Sequence, residues 1–389
     1  MPSLRLLLGG LPLALLAACH ADSKPDKQAA ETPAAAAPAA QTTNARYRCY
    51  RGLLPGTRDS ITLHVVQGPP TSGLGANVFA SYHDVAGHPY ALQAEPQTDP
   101  DSLVLFDISP EKASPDRDGP KWRLRRTGRE LRGTLAGQPL TLRESPAAVP
   151  LNAYFYADSV AAYPGRPGSV HGHLHLLAAL PAAESALRAN VLRELRNDTL
   201  ANQPVGTLAQ LWEQDKAIFQ QLYRTDVAGL MEGLEDSTEV PSYALRYEQQ
   251  TATYVYWNQP NLLSLGIFTY VYTGGAHGNY GTTAASYDPR TGQRLRFEDV
   301  FRPGTDAQIS AVLDQAVRRT LRIPAEESLE TQLFVKKMPV TNNFYLTGSG
   351  AVFIYTPYEI ASYAQGEIRV FVPFTELKAV LVAGGPLSS

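Results

Sequence analysis

Three histidines at alternate positions, His171, His173 and His175, form a run of metal-ligating side chains. On a strand they would share one face with imidazoles about 7 Å apart, so adjacent pairs could hold a zinc or copper ion, both of which accept neutral imidazole. The same alternation puts Val170, Gly172, Leu174 and Leu176 on a core-facing side, so the histidines equally fit a polar sheet face. A further imidazole stands among glycines in Gly274-Gly275-Ala276-His277-Gly278, just after a strand-like run. Such a loop admits positive φ and close backbone approach. His277 could then donate a hydrogen bond or shuttle a proton, especially beside Glu359; the other reading is a structural turn in which it bonds a neighbouring carbonyl. His83-Asp84 with His88 reads as a loop.

Aromatic side chains form another candidate surface. Tyr254 and Tyr256 share one strand face, and Phe268, Tyr270 and Tyr272 share a face of the next strand. Tyrosine-rich sheet faces can stack on sugars or clasp a polypeptide, because each ring offers rigid area with a polar tip. A cross-strand aromatic ladder buried under other elements has the same pattern. Several catalytic patterns are missing: there is no H-E-x-x-H, no G-x-S-x-G and no G-x-x-x-x-G-K-[ST], and Gly348-Ser349-Gly350 fits a hairpin turn. No cofactor is expected from these residues. A glycosidase pair would need two carboxylates at a defined separation, and no spacing singles one out among the 37 acidic residues.

The elements that would position these groups follow a targeting segment. Arg5, the apolar run Leu6 to Leu16 and the close Leu16-Ala17-Ala18-Cys19 have the form of a lipoprotein signal, so residues 1–18 are expected to be removed and Cys19 lipidated. No later run reaches about 18 apolar residues, so the lipid is the expected membrane attachment and the rest of the chain should be aqueous. The expected location is extracytoplasmic, on the cell envelope, at the outer membrane if the cell has one. Residues 19–45, rich in Ala and Pro, read as a tether. The formal charge of -3 over 389 residues gives no basic footprint for nucleic acid. With Cys19 spent on lipid, Cys49 has no disulfide partner and reads as a small buried hydrophobe.

From residue 46 to 145, short strand-like runs separated by Gly, Pro and Asp predict an all-β meander, a small barrel or sandwich: 60–66, 77–83, 103–108, 121–126, 130–135 and 139–143. The break Ser145-Pro146-Ala147-Ala148-Val149-Pro150 opens an α+β region, 149–389, with a mainly antiparallel sheet packed with helices. It divides into a smaller part, 149–234, and a C-terminal part, 240–385. Leu187, Val191, Leu192 and Leu195 mark one amphipathic helix; Leu208, Leu211, Trp212, Phe219, Leu222 and Tyr223 mark a second. Strands 243–257 and 262–273 should form a hairpin about Asn258-Gln259-Pro260-Asn261. Strand 280–287 should turn through Asp288 to Gly292 into 293–297. Ile309, Val312, Leu313, Val317 and Leu321 then predict a helix stopped by Pro324, and Leu377, Val380 and Leu381 a short terminal one.

Two signatures in the C-terminal part carry a resemblance. The first is Tyr272-Thr273-Gly274-Gly275-Ala276-His277-Gly278-Asn279 with Tyr287-Asp288 and Gly292; the second is Phe344-Tyr345-Leu346-Thr347 with Tyr355 to Gly366. The chain here resembles the C-terminal domain of unknown function found in RsiV-type anti-sigma factors and in the non-catalytic part of PdaC-type peptidoglycan deacetylases. RsiV-type receptors bind lysozyme, so the resemblance implies an extracytoplasmic binding scaffold. His277, Asn279, Tyr270, Tyr272, Tyr358, Glu359 and Tyr363, in these signatures and on the aromatic strand face, are the candidate ligand contacts, and no contact of the family is carried over. The expected function is that of a cell-envelope lipoprotein binding a protein or glycan, with lysozyme or peptidoglycan fragments as ligands. The alternative is an envelope hydrolase or deacetylase using the His277 and Glu359 region.

Overall fold

The computed structural model describes residues 44–70, 76–96, 98–110, 112, 119–196, 205–232 and 240–383. The signal segment, the lipidation expected at Cys19 and nearly all of the tether lie outside the described residues.

The expected meander closes on itself as a barrel of eight antiparallel strands: β1 (Arg46–Leu53), β2 (Ser60–Gln67), β3 (Val78–Asp84), β4 (Pro89–Ala94), β5 (Ser102–Asp107), β6 (Lys121–Thr127), β7 (Glu130–Leu135) and β8 (Gln138–Ser145). Cys49 opposite Ser145 and Arg51 opposite Arg143 join β1 to β8 and remove the sheet's edges. Alternation decides which side chains point inward: on β6, Trp122 and Leu124 are buried while Arg123 and Arg125 face water. The β7–β8 turn has two residues, Ala136 at φ 50° and Gly137 at φ 83°, the double positive φ of the tight turn that matches strand twist.

A six-stranded sheet follows, built from β9 (Leu151–Ala161), β10 (His171–Pro181), β11 (Tyr247–Gln259), β12 (Leu262–Thr273), β13 (Asn279–Tyr287) and β14 (Arg294–Leu295), in the order β14-β13-β12-β11-β10-β9. The sheet is not wholly antiparallel, because β10 and β11 run parallel. Their crossover carries α1 (Ala186–Leu195) and α2 (Leu208–Met231). Ser185 caps α1, and Thr207 with Gln210 forms a reciprocal capping box on α2. The apolar stripe of α2 buries Leu211, Trp212, Phe219 and Tyr223 against the sheet. At Gly172 a Cβ would stand 2.9 Å from the Tyr223 ring, so glycine lets α2 lie close on β10. Strands from 149–234 and from 240–385 thus belong to one sheet.

The third layer is a three-stranded antiparallel sheet, β15 (Phe344–Leu346), β16 (Gly350–Tyr355) and β17 (Ile368–Pro373). It shares a separate core with α3 (Phe297–Val300), α4 (Asp306–Leu321) and α5 (Phe374–Leu377). Helix α4 buries Ile309, Leu313, Ala316 and Val317 and ends at Arg322 with φ 55°, two residues before Pro324. Of the expected terminal helix only α5 forms; Leu381 instead bridges to Phe301.

Barrel and six-stranded sheet are joined through the outward faces of β1 to β3. Phe79 packs on Tyr254 and Phe268, with ring centroids 5.1 and 5.5 Å apart. Register slips between Val255 and Trp257 on β11, and there Ser81 Oγ donates to the Val255 carbonyl at 2.7 Å. Gln250 Nε2 donates to the Ala76 carbonyl at 2.6 Å, and Asn258 bonds both the N–H and the carbonyl of Val149. Cys49 is buried on this outward face, where burial pushes its thiol up to about 11.

Candidate functional site

A concavity of about 820 Å³ opens where the barrel, the six-stranded sheet and the three-stranded sheet meet. The barrel contributes Phe79 and Tyr90, the large sheet Tyr254, Phe268, Tyr270 and Tyr280, and the small sheet Tyr345 and Phe371. Register explains the convergence. Tyr270 stands opposite Tyr280 on β13 and opposite Gln250 on β11, and Phe268 stands opposite Ala252, so the aromatic side chains of three strands share one face. The face differs along its length. Tyr256 is buried with its ring 4.2 Å from that of Tyr345, forming a ladder, whereas Tyr270 and Tyr280 remain partly open to the cleft. Burial pushes the Tyr254 hydroxyl up to about 12, and burial followed by Glu367 raises that of Tyr280.

Charge enters the cleft from β17 and the segment before it. Glu367 Oε1 accepts the Thr282 N–H, and Oε2 accepts Thr282 Oγ1 at 3.0 Å and Arg369 Nη2 at 2.8 Å. The Arg369 guanidinium lies 5.6 Å from the centre of the Tyr254 ring and 5.4 Å from that of Tyr256. On α4, Arg319 bonds both carboxylate oxygens of Glu376 at the cleft wall.

At the rim, the structure brings together four of the expected contacts. The His277 ring stacks on Tyr363 at 3.9 Å, its Nδ1 lies 3.0 Å from the Gly278 carbonyl, and its Nε2 lies 3.3 Å from the Tyr358 hydroxyl. Tyr363 donates to the same Gly278 carbonyl at 2.6 Å. The Tyr270 ring packs directly on Gly278, where a Cβ would approach it to 2.5 Å. Tyr272 bonds the Gly275 carbonyl at 3.0 Å and so braces the glycine loop, and Asn279 is exposed at the first position of β13. Glu359 does not join them. Its Oε2 accepts the Thr356 N–H at 2.9 Å and Thr356 Oγ1 at 3.3 Å, within its own turn. The suggested pairing with His277 is therefore not made, because the carboxylate satisfies the backbone of the turn that carries it.

Residues 298–375 match DUF3298, a protein family of unknown function. Residues 186–280, from α1 through the His277 loop, match deacetylase PdaC. A crystal structure of a DUF3298 family member from Bacteroides fragilis NCTC 9343 is similar with a TM-score of 0.54 at 21% identity, covering 62% of this chain and 99% of that one. A DUF3298 family protein from Pseudomonas aeruginosa PAO1 gives a TM-score of 0.43 at 20% identity, over 60% of this chain and 95% of that one. No curated protein matches the chain. These matches place a domain of a family of unknown function in the C-terminal part of the chain, and the likeness to the Bacteroides protein is one of fold.

The histidine run sits on β10 as expected, with successive ring centroids 6.2 and 6.5 Å apart. Its face is the one that carries Tyr270 and Tyr272, since His173 pairs with Glu248 and Glu248 with Tyr272. Burial, then the neighbouring His173, lowers His175 to about 4. Among the described residues no group of three His, Cys, Asp or Glu side chains is arranged to hold a metal ion. His83 departs from its loop reading: it is buried on β3 against Trp257, with ring centroids 4.2 Å apart. The sequence reading missed Glu367 and Arg369. Their signal was the alternation Glu367, Arg369, Phe371 against buried Ile368, Val370 and Val372, which marks a polar and aromatic strand face.

Proposed function

We propose that this chain is a lipid-anchored, extracytoplasmic binding module whose aromatic cleft holds a glycan of the kind found in peptidoglycan fragments. One observation carries the reading: a concavity of about 820 Å³ whose wall is shared by tyrosine and phenylalanine rings from three separate layers. Rings at fixed positions present flat apolar area to the C–H faces of sugars at little entropic cost, and their hydroxyls meet the sugar's own. The anchor rests on Leu16 to Cys19, whose lipoprotein-signal pattern supports a position at the cell envelope, where such glycans occur.

A lysozyme-directed role has its own support at the rim. Tyr358 is 55% exposed at φ 68° and, with His277, forms an exposed aromatic pair available to another protein. The hydrolase or deacetylase reading draws on the name of the family matched over 186–280. It is disfavoured by Glu359, which bonds its own turn, and by His277, both of whose nitrogens are engaged.

Calorimetric titration of the full chain with N-acetylglucosamine oligomers, muropeptides and c-type lysozyme tests these readings together. Saturable heat with the glycans supports the cleft reading, and heat with lysozyme accompanied by loss of its turnover supports the rim reading. Silence with every glycan overturns the first.

A further inference from the structure

Within the proposed glycan cleft, Glu367 and Arg369 are partnered very unequally. Both oxygens of Glu367 are taken: Oε1 by the backbone of Thr282, Oε2 by the Thr282 hydroxyl and by Arg369. Arg369 spends only an Nη2 N–H on that carboxylate, and no other hydrogen bond to its guanidinium is formed among the described residues. A guanidinium carries five N–H donors in a rigid plane and stays charged at every accessible pH. Here that plane is fixed by two tyrosine faces and one carboxylate, on side chains of which Arg369 retains 16% exposure and Glu367 8%. A ligand entering the cleft therefore meets donors from this pair and few acceptors. In the other charged pair of the wall, Arg319 Nη2 occupies both carboxylate oxygens of Glu376, but these side chains are 53% and 37% exposed and lack the two tyrosine faces that fix Arg369.

We infer that the cleft is selective for an acidic sugar, one whose carboxylate docks on the unfilled edge of the Arg369 guanidinium while its ring lies against the tyrosines. This rests on the glycan reading above and adds to it the chemical feature that is recognised. The geometry favours an anion over a hydroxyl because charge-assisted, two-point hydrogen bonds from a planar guanidinium are about twice as strong as neutral ones. Glu367 acts as the positioning group. It holds the fork still, and its own charge is shared with the backbone N–H of β13.

The test compares two probes of equal length in the full chain: an N-acetylglucosamine oligomer and the same backbone carrying the lactyl carboxylate of N-acetylmuramic acid. Wild-type protein should bind the acidic probe about tenfold more tightly, and R369Q should lose that preference, binding the two probes with equal affinity. Equal affinity of the wild type for the two probes overturns the selectivity and leaves the glycan reading standing. Failure of both probes to bind overturns both. Should R369Q not fold, the wild-type ratio alone decides. A folded R369Q that still prefers the acidic probe by the same factor overturns the assignment to Arg369.

Discussion

The barrel interior and the cleft outside it are both lined by aromatic side chains, yet one is closed and the other open. Inside the barrel, Tyr82 packs against Trp122 at 5.1 Å, and Trp122 and Leu105 are completely buried. An eight-stranded barrel has just enough room for such side chains to fill it. In the cleft, rings come from three layers and surround space instead of closing it. The side chains are of the same kinds in both places. What separates a core from an open cleft here is the number of layers that supply the rings.

The largest effect is expected where the rings are sealed. Trp122→Ala should cost about 3–5 kcal/mol, read as a lower urea midpoint, because the barrel cannot collapse onto the void. Ligand affinity per folded molecule should stay unchanged; a parallel loss of affinity would show that the two regions are not separate. The converse substitution is Tyr280→Ala. It should weaken a cleft ligand by about tenfold, the size of a binding hot spot, with a much smaller shift in the urea midpoint than Trp122→Ala gives. If the midpoint falls as far as for Trp122→Ala, Tyr280 belongs to a core and the comparison fails.

Acid sharpens the contrast along the seam that holds barrel and sheet together. His64 is held well below its ordinary value by burial, then by His83, and His83 is itself lowered by burial despite its bond to the Asp84 carbonyl. Their Nε2 atoms have no hydrogen-bond partner among the described residues, so a proton added there would carry an unpaired buried charge. In the unfolded chain both imidazoles take up protons near pH 6.5, before the folded chain does. Stability should therefore be constant above that pH, fall as pH drops below it, and stop falling from this source once the folded-state values are passed. His175, at about 4 in the fold, adds to the same loss. Urea midpoints at pH 7.5 and 5 check the sign, and His64→Phe should flatten the slope. A midpoint that rises on acidification would contradict the burial of these rings.

Much of this arrangement was legible because it is local. Strand Leu262–Thr273 forms where its alternation predicts it, and its hairpin with β11 turns at Pro260 and Asn261. Strands β1, β4 and β9 were missed: β1 interleaves arginine and tyrosine without clean alternation, β4 opens on a proline, and β9 follows the Pro-rich break. All three pair with a neighbouring strand in sequence, as Cys49 does with His64 and Ala153 with Ala179, so it was their own residue pattern and not distance that hid them. At the rim, Tyr358, Tyr363 and His277 were named from two signatures and Tyr270 from an aromatic strand face, and all four meet, whereas Glu359, named from the second signature, turned inward to its own backbone. Proximity of a carboxylate to a histidine 82 positions away depends on how the turn spends its donors.

The smallest expected effect bears most directly on how the cleft is shaped. Gly278 is not at positive φ, so its lack of a side chain serves space and not backbone freedom: a Cβ there would lie 2.5 Å from the Tyr270 ring. The atoms it meets are the far end of a movable side chain, so Gly278→Ala should displace the ring without breaking the fold, at about 1 kcal/mol or less of stability. Because Tyr270 lines the cleft and Gly278 also receives the Tyr363 hydroxyl, the displaced ring should weaken ligand binding by a few fold. Gly278→Ala combined with Tyr270→Leu should recover the stability but not the affinity. That split would place the role of the glycine in shaping an open wall, where the same contact inside the barrel would have shaped a core.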